Sequence, residues 1–380
     1  MTACVLAWTS LGMSPQGRVR ACGKSIPNIT NPSLKQVSIE AAWNSDYYKN
    51  LRLDMLNGVE NSNCAKCHLQ EKLEGTSKRL QINADTNIDL DYLRSITNTD
   101  GSITTSPTQI DIRVGNICNL KCVHCWTGNS SKWYEDKLLL DRYENTENIK
   151  FDNNWISDKG SVWQYVKDNI DTIESLNILG GEPFASKQHN ELLDWLVEHN
   201  KTDVSLFYVT NATLLTPIML DKLRKFKHVE LGISLDDTFA RAEFMRFPNN
   251  WKTLQSIFEY INQYFDTAYF NWTCHNLNFF HLADTYKYCA DNYSNIKFKL
   301  GDFVITPAHM SVQNLPLSFK NTIKERVNDV PGIEFYINYM YANDLWATHS
   351  NTLLDYLNDL DTTRKTDWKT TFPEITKLYE

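Results

Sequence analysis

Cysteine placement constrains this chain more than any other feature. Nine cysteines occur, at Cys4, Cys22, Cys64, Cys67, Cys118, Cys122, Cys125, Cys274 and Cys289, and seven of them fall in the first third. The odd count and close spacings argue against a disulfide framework and for metal ligation in a reducing compartment. The opening stretch MTACVLAWTSLG has neither a basic n-region nor a proper h-region, which fits that setting. At 380 residues the chain can bury a core without cross-links. Its 38 basic against 46 acidic side chains give a net charge of −8, which disfavours a general nucleic-acid or anionic-membrane surface. No apolar run approaches the roughly 20 residues needed to cross a bilayer. The expectation is a soluble cytoplasmic protein.

From about residue 108 the pattern alternates strand and helix. Ile110, Ile112 and Val114 alternate with Gln109, Asp111 and Arg113, a half-buried strand that runs into the cysteines at 118 to 125. Further strand-like runs start at Ser175, Val204, Val229, Tyr269 and Ile296, with helical stretches between them, among them Ser131 to Tyr143 and Trp251 to Phe265. This pattern predicts an α/β fold with a parallel sheet and right-handed crossovers, an open sheet or a partial barrel. Residues 1–80 carry four cysteines, turn residues such as Pro15, Gly17, Pro27 and Pro32, and one helix from Asn44 to Leu56, so they read as a small metal-organised module. Residues 81–107 read as a connector, 108–306 as the β/α unit and 307–380 as a helical C-terminal extension.

Two motifs carry chemistry. Cys118, Cys122 and Cys125 form C-x3-C-x2-C at a strand's C-terminal end. Three thiolates on one loop can hold three irons of a cubane and leave the fourth open to a substrate, although zinc could also use them. Gly180-Gly181-Glu182-Pro183 follows the next strand. Its glycines let a backbone approach a ligand closely, its carboxylate can accept from an ammonium group, and its proline fixes the turn. Together, in this order and on consecutive strands, the motifs resemble those of the radical S-adenosylmethionine enzymes.

The resemblance implies a partial (β/α)6 barrel of the TIM type, with the site at the strands' C-terminal rim. It implies that Cys118, Cys122 and Cys125 hold a 4Fe-4S cluster and that Gly180, Gly181, Glu182 and Pro183 meet the methionyl amine of S-adenosylmethionine. Weaker matches continue at Asn211, Ser234, Asp236 and Arg246, which by resemblance meet the ribose and carboxylate of the cofactor. Asn211 and Asp236 also suit helix or turn caps, and Arg246 an ordinary ion pair. His124 stands where the family commonly has an aromatic residue against adenine. Cys4, Cys22, Cys64 and Cys67, with their surrounding sequence, resemble the twitch module and the matching part of the SPASM domain, which holds an auxiliary 4Fe-4S cluster. In most relatives that module follows the barrel, whereas here it precedes it. A structural zinc site is the other reading of these four. Cys274 reads as a small buried hydrophobe or a group facing the site, and His275 and Asn276 stand at the same strand end, within reach of cofactor or substrate.

The function implied is an oxidoreductase-type radical enzyme. It cleaves S-adenosylmethionine reductively to a 5′-deoxyadenosyl radical that abstracts a hydrogen, with a peptide or protein as leading substrate class and a low-potential donor such as flavodoxin or ferredoxin as partner. No winged-helix leader-binding pattern is legible near the amino end, so leader recognition would come from a separate partner. Modification of a small molecule or nucleotide is the alternative, and a non-catalytic metal-organised binding protein of the same fold is a second.

Overall fold

The computed structural model describes residues 3–26, 30–87, 89–143, 154–156 and 161–380. The turn expected at Pro27 lies outside them. The chain forms two compact units, one of residues 1–116, 151–208 and 225–228, the other of residues 117–150, 209–224 and 229–380.

In the first unit, β1 (Ser10–Met13) pairs antiparallel with β2 (Val19–Arg20) and parallel with β3 (Gln109–Arg113). Parallel pairing continues from β3 to β4 (Ser175–Leu179) and from β4 to β5 (Ser205–Thr210). One face of these strands is apolar: Ile110, Ile112, Leu176, Ile178 and Leu206 are fully buried. The other carries Gln109, Arg113, Ser175, Asn177 and Phe207 at intermediate exposure, so a period of two sets which side chains leave the core. The helix Lys187–Glu198 starts where Ser186 Oγ accepts from His189 N, and it buries His189, Leu192, Leu193 and Leu196 at helical spacing.

The N-terminal part of this unit holds more helix than its turn residues suggest: Asp46–Leu56 is joined by Ala65–Glu74 and Lys78–Asp85. Arg52 anchors it. Fully buried, it donates to the carbonyls of Ala7, Trp43 and Gly101 and to Asn44 Oδ1, and the Trp43 ring lies 4.5 Å from its guanidinium carbon. Burial pulls its pKa down to about 10.

The second unit carries β6 (Val229–Ser234), β7 (Ala268–Cys274) and β8 (Lys297–Phe303), each parallel to the next. β3 to β8 are the six strands expected from the alternation. The helix Trp251–Tyr264 begins at Asn250, whose side chain accepts from Thr253 N, and buries Leu254, Ile257, Phe258 and Ile261. The stretch from Ser131 is not one helix: a 3-10 turn, Ser131–Asp136, gives way to a short helix, Lys137–Leu140. Ser130 caps the turn by accepting from Lys132 N, and Lys121 draws Asp136 inward at 2.6 Å, so local bonding overrides the helical period. Beyond residue 307 the chain is helical, including Leu317–Val327, Glu334–Tyr341 and Trp346–Arg364. Leu353, Tyr356, Leu357 and Leu360 share one core with Trp272, Cys274 and Val123, so the extension is built into this unit. Among the described residues, no helix is long and apolar enough to cross a membrane.

Candidate functional site

The cysteine loop follows β3 and is held almost entirely through its backbone. Lys121 N donates to Phe247 O at 2.6 Å and Val123 N to Met245 O at 2.8 Å. These two bonds flank Arg246 and bring it against Cys122, with Nη1 3.9 Å from Sγ. Four successive loop carbonyls each accept from a side chain: Leu120 from Ser130 Oγ, Lys121 from Arg364 Nη2, Cys122 from Trp133 Nε1 and Val123 from Tyr356 Oη. A buried carbonyl without a partner is costly, so this set fixes the loop's shape before any ligand binds. Burial pushes the Cys122 thiol up to about 12, and burial with the neighbouring Cys122 and Cys118 raises Cys125 as well. Such thiols need a positive partner to ionise, which a metal cluster provides.

Arg246 also grips Asp236, with Nε 2.8 Å from Oδ2 and Nη2 3.0 Å from Oδ1. Burial works to raise the Asp236 carboxyl, and Arg246, with His124 and His275, outweighs it, so the group sits below the usual carboxylate range. His124 Nδ1 is 3.7 Å from Asp236 Oδ2, and its ring lies 5.2 Å from that of His275. Burial, reinforced by His124, pushes His275 down to about 3, so both N–H-bearing and lone-pair faces of a neutral ring are presented. Asn211 Nδ2 donates to Asn119 Oδ1 at 2.9 Å and stands 3.9 Å from Cys118 Sγ. Ser234 closes β6, paired with Asn271.

One ligand atom from each of His124, Asp236 and His275 lies within 4.8 Å of the others, a set that can bind a cation. Arg246 faces both Asp236 oxygens, so a cation there would share the carboxylate with a guanidinium, and the group suits an organic ligand better. His275 Nε2 and Asn276 Oδ1 are buried and make no hydrogen bond among the described residues, at the strand end where the sequence suggests contact with cofactor or substrate. Tyr356 and Arg364 were missed altogether, since nothing local marks a residue that bonds to a loop over 200 positions away.

In the first unit, Gly180 follows β4 with φ +136, and a Cβ there would stand 2.8 Å from Val114 N and 2.9 Å from Gly115 O. Only glycine fits such an approach between two strand ends. Gly181 N donates to Gly115 O at 3.0 Å, which locks the turn to the end of β3. Glu182 is fully buried with Oε1 accepting from Phe184 N, and Pro183 opens a 3-10 turn.

The same unit gathers the N-terminal cysteines. Cys4, Cys22, Cys64 and Cys67 line one cavity together with Lys24 and Arg79. Cys64 precedes the helix Ala65–Glu74 and Cys67 lies in its first turn, while Cys22 follows β2. Burial pushes the Cys4 and Cys64 thiols up to about 12. Arg79 clamps Glu71 and donates to Ala3 O at 3.1 Å, tying that helix to the segment bearing Cys4. His68 turns towards Glu71, 4.0 Å away. Cys274 and Cys289 lie in the core, at 0% and 1% exposure.

Residues 112–289 match the Radical SAM superfamily, and residues 4–68 match SPASM, an iron-sulfur cluster-binding domain. Among curated proteins, the antilisterial bacteriocin subtilosin biosynthesis protein AlbA of Bacillus subtilis is 27% identical over 131 residues, 34% of this chain and 24% of AlbA. The match thus spans about a quarter of that relative's length. Streptococcus suis SuiB bound to S-adenosylmethionine is 17% identical over 74% of this chain and 63% of that one, with a TM-score of 0.42. Native anSMEcpe with bound AdoMet and Cp18Cys peptide is 16% identical over 62% and 61%, with a TM-score of 0.39. The cofactors of these two domains are S-adenosylmethionine with a 4Fe-4S cluster, and auxiliary iron-sulfur clusters. The donor sets fit them: three thiols on one loop beside a guanidinium, and four thiols around one cavity. The chain thus carries a Radical SAM domain, residues 112–289, preceded by a SPASM domain, residues 4–68.

Proposed function

We propose that the chain is an enzyme that reductively cleaves S-adenosylmethionine to a 5′-deoxyadenosyl radical for hydrogen abstraction from a peptide or protein. The observation that carries this reading is the Cys118–Cys125 loop. Three thiols stand on a backbone whose carbonyls are already bonded, with Arg246, Asp236, His124 and His275 around it. Cys118, Cys122 and Cys125 hold the cluster, and the loop, having no fourth cysteine, leaves one iron for the methionyl group. Gly180 to Pro183 bring a buried carboxylate, Glu182, for the amine. Asn211, Ser234, Asp236, Arg246 and His124 orient the rest of the cofactor, and the burial of Asp236 and His275 keeps water from their side of it.

In this reading residues 1–80 form the auxiliary cluster module through Cys4, Cys22, Cys64 and Cys67, 81–107 the connector, 108–306 the partial barrel and 307–380 the extension. The peptide substrate class rests on the relative AlbA, which is named for bacteriocin biosynthesis. All nine cysteines are free, as a reducing cytoplasm with a low-potential donor such as flavodoxin or ferredoxin requires.

The test is anaerobic reconstitution followed by an assay for 5′-deoxyadenosine after dithionite reduction. Cys118→Ala, Cys122→Ala or Cys125→Ala removes about half the iron and all deoxyadenosine formation. A triple variant that still made deoxyadenosine would overturn the assignment.

A further inference from the structure

Arg20 in β2 pairs with Gly12 in β1, and Gly12 pairs with Asp111 in β3. Residues paired across a sheet share a face, so Arg20 and Asp111 project on the same side with a glycine between them. A Cβ at Gly12 would stand 3.3 Å from Asp111 Cβ and 3.4 Å from Arg20 Cγ. The missing methyl is the gap across which the guanidinium reaches the carboxylate. Arg113, two residues along β3, returns to that face. Its Nε is 3.4 Å from Asp111 Oδ1, the same oxygen that Arg20 Nη2 approaches at 3.7 Å.

Two guanidiniums against one carboxylate leave one positive charge in excess. The Arg20 and Asp111 side chains are each 9% exposed, and Arg20 Nε, Arg20 Nη2 and Arg113 Nε are buried with no hydrogen-bond acceptor among the described residues. Leaving charged donors so placed costs free energy unless a ligand takes them up. One planar anion facing both forks balances the charge and supplies the acceptors. A Cβ at Gly23 would stand 3.4 Å from both Arg113 Nη2 and Asp111 Oδ2, so these groups adjoin the turn that follows Cys22.

We propose that Arg20 and Arg113, held around Asp111, form a subsite for a carboxylate of the substrate, an acidic side chain or a chain terminus. Attribution to the substrate rests on the peptide-modifying reading; the subsite does not.

The experiment is calorimetry on the anaerobic full chain at low ionic strength with two probe pairs. One is capped Ala-Glu-Ala against capped Ala-Gln-Ala, and the other acetyl-Ala-Ala-Ala with a free against an amidated terminus. One carboxylate form binds at least about tenfold tighter than its neutral partner, and the pair that responds identifies the source. Arg113→Gln abolishes the preference, whereas Asp111→Asn, which removes the internal competitor, preserves or strengthens it. Iron content reports folding of each variant, and added salt weakens the preference in the unaltered protein. No preference in either pair, or a preference undiminished in Arg113→Gln, overturns the subsite. Deoxyadenosine formation by the same preparation reports separately on the radical reading.

Discussion

Arg246 holds Asp236 through two nitrogens while its third lies 3.9 Å from the Cys122 sulfur, so one guanidinium joins the end of β6 to the cysteine loop. The pair is buried, Asp236 at 0% and Arg246 at 8% exposure, and removing one member leaves the other without compensation. Arg246→Met is expected to cost about 3–5 kcal/mol of unfolding free energy in urea titrations. Arg246→Lys keeps the charge but not the fork, and is expected to lose less. Equal losses for the two variants would show that charge, not bidentate geometry, is what the site requires.

Gly180 gives a sharper test because its backbone, not its side chain, is what the fold uses. Alanine there meets Val114 N and Gly115 O under 3.0 Å at φ +136, whereas at Gly332, φ +77, it meets nothing within 4 Å. Gly180→Ala is expected to destabilise by about 3 kcal/mol through overlap plus strain. Gly332→Ala is expected to cost about 1 kcal/mol through strain alone. The Gly180 variant should also lose the shift of the cluster's electron paramagnetic resonance spectrum on adding S-adenosylmethionine. A retained shift would place the cofactor away from this turn.

How much of this was legible follows from the range of each interaction. β3 was readable because Ile110, Ile112 and Val114 alternate within one strand, and the cysteine loop because its ligands lie within eight residues. β1 was not, since Ser10 to Met13 are all buried and show no alternation. The stretch from Ser131 carried a helical period that Ser130 and Asp136 override by bonding locally. Arg246 and Asp236 were named as separate weak matches, and their mutual grip appears only when the chain from β6 turns back through the helix Phe239–Met245. Arg20 and Asp111 are 91 positions apart and meet only through the Gly12 register, which no periodicity encodes.

The C-terminal helix supplies a third prediction. Tyr356 Oη and Arg364 Nη2 bond the carbonyls of Val123 and Lys121 from the helix Trp346–Arg364. Tyr356→Phe keeps the ring and leaves the Val123 carbonyl unpaired, at an expected cost of about 1–3 kcal/mol. Because those bonds shape the cysteine loop, the variant's cluster should lose iron to a chelator several times faster than the unaltered protein's. Iron release at an unchanged rate would mean that the loop keeps its shape without this bond.

His309 sets a pH dependence separate from the cysteines. Its ring packs 4.7 Å from Tyr356 and 5.6 Å from Tyr143, its Nε2 is buried without a hydrogen bond among the described residues, and its carbonyl accepts from Asn276 and Asn314. Burial, then the nearby His349, pushes its pKa down to about 4. The folded chain therefore keeps the ring neutral while the unfolded chain takes up a proton near the ordinary value of about 6.5. Below that pH the unfolded state binds more protons, so this contribution is complete above about 6.5 and is lost as pH falls towards about 4. The full span amounts to about 3 kcal/mol. His309→Phe keeps an aromatic ring against Tyr356 and removes the titration. Urea midpoints measured from pH 7.5 down to pH 4 should therefore fall less steeply for the variant than for the unaltered protein. Parallel curves would mean that the ring finds a proton acceptor in the folded state and that its burial carries no such penalty.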